Sequence, residues 1–202
     1  MVGYKRHRRK FMAPGLVMIV ALVLAGCSRP SPAVHYYTFS LLPYPAEVSL
    51  HPTVNLRVTV APVEVPTYLD RPHIVTRESL NTIQVAEYHR WASPLQEGLA
   101  WAVAENLNAL LKSDQVVSGL DRAGAAYRVA INMHRFEGWP EGRFDLVATW
   151  TVRGTRGEQR VIEGRTALEE PITQTGVEGL VAAASRAVIA LSRDLAEAMG
   201  DL

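Results

Sequence analysis

Between Tyr127 and Leu168 the apolar residues return at every second position, and this pattern narrows the fold more than any other. Tyr127, Val129, Ile131 and Met133 alternate with Arg128, Ala130, Asn132 and His134. After the turn Gly138-Trp139-Pro140-Glu141-Gly142, Phe144, Leu146, Ala148, Trp150 and Val152 repeat the alternation. A second turn, Gly154-Thr155-Arg156-Gly157, leads into a third run from Arg160 to Leu168. A period of two puts successive side chains on opposite faces of a pleated strand. Three such strands joined by short turns make an antiparallel meander with one apolar face, and that face needs a cover.

Two segments of helical period can supply it. Ser93-Pro94-Leu95-Gln96 has the form of a capping box with proline at the first helical position, and Leu95, Leu99, Val103, Leu107, Leu110 and Leu111 then follow one stripe of a helix over 94–112. Thr175-Gly176-Val177-Glu178 opens a second helix, with Val177, Leu180, Val181, Ala184, Val188, Leu191, Leu195 and Met199 on one side. Pro171 ends the sheet before it. Further strands are expected at Tyr36–Leu42, closed by Pro43 and Pro45; at Val54–Val60, whose strict alternation describes a half-buried strand; at Ile74-Val75; at Thr82–Ala86; and at Gln115–Ser118. The order predicts an α/β (α+β) fold: a mixed, largely antiparallel sheet packed with two amphipathic helices. The polar side of the last helix mixes Arg186, Arg193, Asp194 and Glu197, which suits packing on the sheet better than lying on lipid.

The first ten residues hold five basic side chains and no acid, and a mostly apolar run, Phe11–Leu24, follows. At about 14 residues it is shorter than the ~20 needed to span a bilayer. With its small-residue end it describes an export signal, residues 1–26; the Arg8-Arg9 pair is only a faint twin-arginine pattern. The run closes on Leu24-Ala25-Gly26-Cys27, which looks like a bacterial lipobox, making Cys27 the lipid-attachment residue. Cys27 is the only cysteine, so intramolecular disulfides and multi-cysteine metal sites are excluded. Several acyl chains anchor stably where one is marginal, and Ser28 in place of aspartate favours sorting to the outer membrane. Residues 27–35 form the lipidated cysteine and a Pro/Ser tether, and 36–202 form a single periplasmic α/β domain. Beyond the signal the chain has 16 basic against 20 acidic residues, a net charge of −4, which argues against nucleic acid as a partner.

Chemistry is largely missing. The chain has no G-x-S-x-G elbow, no phosphate-cradling glycine loop and no H-E-x-x-H. His35, His51, His73, His89 and His134 include no pair at metal-ligand spacing. No catalytic residue, metal site or cofactor is assigned, and an enzyme is not expected. Contact is the remaining role.

Two stretches fit neither strand nor helix. Val65-Pro66-Thr67-Tyr68-Leu69-Asp70-Arg71-Pro72-His73-Ile74-Val75-Thr76-Arg77 sets an apolar pair between two prolines with charges beside it. His89-Arg90-Trp91-Ala92-Ser93-Pro94-Leu95 places a tryptophan just outside the first helix. Tyr68, Leu69, Arg71, Arg77 and Trp91 are the candidate contacts to a partner or second subunit, since aromatic and arginine residues dominate interface anchors. The alternative is internal: Tyr68 and Leu69 plugging one end of the sheet, and Trp91 stapling the helix entry.

These stretches, with Tyr36-Tyr37-Thr38-Phe39 near the start of the domain, resemble the PqiC/YmbA-type lipoproteins, auxiliary lipoprotein components of ABC-type transport systems. The resemblance implies a sandwich like that of anticodon-binding domains. It implies an outer-membrane lipoprotein on the periplasmic face, partnered by a periplasm-spanning MCE-domain transport protein and an inner-membrane component. It further implies intermembrane phospholipid transport in support of membrane integrity, and members that self-associate. The alternative is an envelope lipoprotein that activates or assembles cell-wall or outer-membrane machinery.

Overall fold

The computed structural model describes residues 32–44, 57–120, 124–139, 142–155 and 160–200. The chain divides into Met1–Ala33 and a compact unit, Val34–Leu202, which holds every element below. Cys27 and the signal segment lie outside the described residues.

The elements in chain order are β1 (His35–Tyr37), β2 (Val58–Val60), β3 (His73–Arg77), β4 (Ile83–Trp91), α1 (Leu95–Leu111), β5 (Val116–Ser118), β6 (Tyr127–Gly138), β7 (Arg143–Gly154), β8 (Val161–Pro171) and α2 (Gly176–Met199). The eight strands form one mixed sheet. The meander β6–β7–β8 is antiparallel along its whole length, as its period predicts. The other edge of β6 forks. Its start pairs in parallel with β2, its end meets β3 at Thr76–Gly138, and Glu64 bridges to Asn132 between them. From the fork β2 carries β5, while β3 carries β4 and then β1. Both helices cover one face, over Val129, Ile131, Met133, Phe136, Phe144, Leu146, Ala148 and Val152, all buried. The opposite face exposes Asn132, His134, Thr149 and Arg165.

Several expectations change. Val58, Thr59 and Val60 are all buried, so the described part of this strand is not half-exposed. Parallel neighbours β5 and β6 flank it on both edges, and the Thr59 hydroxyl on its second face is enclosed as well. Residues 54–56 lie outside the described set. The first strand is only three residues long, because Thr38–Leu42 leaves the ladder for side-chain acceptors on the helices. The Ser40 amide donates to Ser185 Oγ at 3.0 Å and the Leu42 amide to Asn106 Oδ1 at 2.9 Å. Strand β4 continues past Ala86 to Trp91, because β3 and then β1 supply its hydrogen bonds where the polar sequence Glu87-Tyr88-His89-Arg90 hides the period.

Neither capping box forms a side-chain cap. Pro94 is the N-cap of α1, and its carbonyl accepts from the Glu97 and Gly98 amides. Helix α1 is also enclosed almost all round, wedged against α2, β2 and β5, leaving Glu97, Trp101 and Glu105 exposed. Its buried Asn106 uses both ends of its amide, accepting from Leu42 and donating to Ser192 of α2 at 3.4 Å.

Candidate functional site

The unusual stretch from Val65 to Arg77 closes on one acidic residue. Its first half is a turn, in which the Leu69 amide donates to the Pro66 carbonyl at 2.8 Å and the Asp70 amide to the Thr67 carbonyl at 3.2 Å. The turn sends its two large side chains in different directions. Leu69 is buried among Ile74, Trp91 and Phe136. Tyr68 stays half-buried, and its hydroxyl donates to Glu137. At the other end of the stretch, Arg77 donates through Nε to Glu137 and through Nη2 to Glu137 Oε1 at 3.2 Å. Its Nη1 reaches the Leu80 carbonyl at 3.2 Å.

Glu137 is there because of a bulge. Odd-numbered residues of β6 face the helices up to Met133, but the register slips between Met133 and Arg135. Phe136 therefore takes the inward phase, and Glu137 turns to the other face directly opposite Asp145 of β7. Like charges placed opposite each other in a ladder repel, so each carboxylate needs its own donors. Asp145 accepts from Trp139 Nε1 at 2.7 Å and Arg143 Nε at 3.2 Å. The Trp139 ring lies between two guanidinium groups, Arg143 at 4.7 Å and Arg77 at 5.8 Å from its centroid. Burial, with Asp145 beside it, pushes the Glu137 carboxyl up to about 7.

Beside this clasp runs a groove of about 720 Å³ between the β3–β4 hairpin and the start of α2, lined by Arg77, Ala86, Trp139, Ile172, Val177 and Leu180. Arg71 is exposed at the turn. Of the residues singled out from sequence, Tyr68 and Arg77 therefore meet at Glu137 and Arg71 faces outward, whereas Leu69 and Trp91 lie in the core. Trp91 stacks on Phe39 at 4.8 Å and approaches Phe136 at 6.3 Å. Trp91 is buried in this packing.

The three motif stretches meet at one corner. β1 pairs with β4 so that Tyr37 lies beside Trp91, the Trp91 amide donates to the Pro72 carbonyl, and the Ala92 amide donates to the Tyr37 carbonyl. The Tyr37 hydroxyl is 2.8 Å from His89 Nδ1, with His35 stacked on His89 at 5.3 Å. Burial, and Glu178 second, raises the Tyr37 hydroxyl above its ordinary value. An apolar pocket of about 210 Å³ opens here between Phe39, Gly98 and Trp101. Sequence reasoning missed Glu137, Asp145 and Arg143. Their one signal was the break in alternation at His134-Arg135, followed by acids on both sides of a turn. The corner and the clasp hold surfaces in place. Among the described residues no three His, Cys, Asp or Glu side chains group as a metal would need.

The model of the ABC-type transport auxiliary lipoprotein component family matches residues 37–196, which takes in the clasp, the groove and most of the motif corner. The chain belongs to this family. As an ABC-type transport auxiliary lipoprotein it is a membrane-anchored component of a transport system and not an enzyme. It is 28% identical over 170 residues to the intermembrane transport lipoprotein PqiC of Escherichia coli (strain K12), a span covering 84% of this chain and 88% of that one. The Shigella flexneri protein of the same name matches equally. The fold recurs in a crystal structure from Xanthomonas campestris, with TM-score 0.64 and 20% identity over 82% of this chain and 96% of the other. It recurs again in an uncharacterised protein with TM-score 0.68 and 20% identity over 83% and 99%. The α+β fold expected from the strand and helix order, a mixed sheet packed with two helices, is thus one this chain shares with solved structures.

Proposed function

We propose that Cys27 anchors this protein in the outer membrane with its folded domain in the periplasm. There it docks the periplasm-spanning MCE-domain protein of a phospholipid transport system whose remaining component is in the inner membrane. The observation that carries the reading is the family match, together with a relative named for intermembrane transport. The geometry supplies a suitable contact surface. Glu137 holds the stretch from Tyr68 to Arg77 at its two ends, so Arg71 between them and the adjoining groove are ordered before any partner arrives. A surface ordered in advance loses less entropy on binding. Tyr68, Arg71 and Arg77 are the contact residues in this reading, with Leu69 and Trp91 supporting them from beneath. The domain also self-associates, which the mass of the soluble protein in solution tests.

The direct test is co-purification of the soluble domain lacking residues 1–27 with the MCE protein encoded beside it. Retention of the partner at micromolar concentration is expected, with at least tenfold weaker retention by Arg71→Glu. A folded wild-type pair that does not associate would sink the reading.

A further inference from the structure

Two motif residues, Tyr36 and Arg90, give their backbones to the sheet while their side chains make no hydrogen bond or ion pair among the described residues. In the ladder Tyr36 of β1 is paired with Arg90 of β4, and Arg90 is paired in turn with His73 of β3. The three form a row across three strands. Their sequence neighbours Tyr37, Trp91 and Ile74 turn the other way, toward the protein's own packing. Tyr36 is 64% exposed. Arg90 is half-buried, and its Nε is shielded from solvent without a hydrogen-bond partner among the described residues. Leaving a buried donor unpaired costs about 1–3 kcal/mol, more when it is charged. Arg77, Arg143 and Arg186 each have a carboxylate in reach, whereas the half-buried Arg90 has none among the described residues. The register thus sets a guanidinium in one row with a phenol and an imidazole, groups that can donate to an acceptor with several oxygens.

We propose that Tyr36, Arg90 and His73 form a site for the phosphate of a phospholipid headgroup in the membrane that anchors the chain. The proposal rests on the reading of Cys27 as the anchor, because the covalent chain chooses the ligand. Tyr36 lies nine residues after Cys27, so its backbone is at most about 32 Å from the lipidated sulfur's residue. β1 is the first element of the domain, and phosphates of the anchoring leaflet are the multi-oxygen anions within that reach. Aromatic side chains such as Tyr36 favour the headgroup level, and Arg binds phosphate through two parallel hydrogen bonds. Exposed Arg71, two residues before His73, adds positive charge at the same end of β3.

The test uses the mature lipoprotein in a phosphate-free sugar detergent and follows the Arg90 Nε–H resonance, assigned by its loss in Arg90→Lys. Titration with dihexanoyl-phosphatidylglycerol should move this signal saturably. Inorganic phosphate should move it in the same direction more weakly, and acetate should leave it unchanged. Arg90→Lys should bind the phospholipid at least tenfold more weakly, followed by phospholipid-induced shifts of the neighbouring backbone amides, with an unchanged melting temperature. Tyr36→Phe should lose a smaller factor. No movement with phospholipid would overturn the proposal. Equal movement with acetate would overturn it too, assigning the row to a carboxylate of a polypeptide partner. The anchor is tested apart from this by the intact mass of the membrane-extracted mature protein: if Cys27 carries no acyl modification, the anchor reading fails, whatever the titration shows.

Discussion

Glu137 faces Asp145 across the β6–β7 ladder with 1% of its side chain exposed. Its carboxyl titrates near 7 in the fold against an ordinary value of 4.5. Over that window the folded chain holds a proton that the unfolded chain has released. The resulting stability is complete below 4.5 and is lost as the pH rises through about 7. The melting temperature of wild type minus that of Glu137→Gln is therefore expected to fall between pH 5 and pH 8, which thermal denaturation across that range checks. A flat difference would mean that Arg77 and Tyr68 keep Glu137 ionised throughout. The adjacent pair in the turn separates in the same way. Leu69→Ala should cost about 2–5 kcal/mol through a core cavity, whereas Tyr68→Phe removes one donor from Glu137 and should cost about 1 kcal/mol. Chemical denaturation of the two single variants distinguishes them. A double Tyr68/Leu69 variant would only report the cavity.

At the scale of elements, Gly164 of β8 sits opposite Trp150 of β7, and the indole lies where a side chain would start: a Cβ there would be 2.2 Å from Trp150 Cζ2. The indole Nε1 also donates to Thr166 Oγ1 at 3.2 Å, and Thr166 in turn donates to Asp194 of α2 at 2.6 Å. Gly164→Ala must displace this ring and should destabilise by about 1–3 kcal/mol, with a loss of near-ultraviolet dichroism that marks the moved indole. Elements of this kind were the legible part of the sequence. The meander is governed by a local period, and its three strands appear where the alternation places them. The helix caps were not legible in full, because Ser93 and Thr175 have the right chemistry but the backbone supplies the bonds at α1. The clasp was less legible still. Tyr68 and Arg77 lie 69 and 60 residues from Glu137, and only the bulge, a one-residue slip, turns Glu137 toward them. Strand β2 was misjudged because burial on its second face comes from neighbours, which a seven-residue pattern does not contain.

For the whole molecule, the two covered and uncovered sides of the sheet divide the work. The helices hold the core, and in the proposed reading the motif corner and clasp arrange what the domain shows to a partner. Arg71→Glu should weaken partner retention without lowering the melting temperature, since Arg71 is exposed and outside the core; equal losses in both would make it a folding residue. The short pairing of β1 has a mechanical side as well. In the proposed setting, tension drawn between an anchored Cys27 and a docked partner enters the domain at His35. It passes from β1 to β4 through three paired positions, and from β3 to β6 through the Thr76–Gly138 bridge. Strands that run parallel and are pulled lengthwise share a load among their bonds instead of unzipping one at a time. The ring of Phe39 stacked on Trp91 acts like a knot behind the strand. The corner that carries the family motifs is thus also where the domain would bear strain.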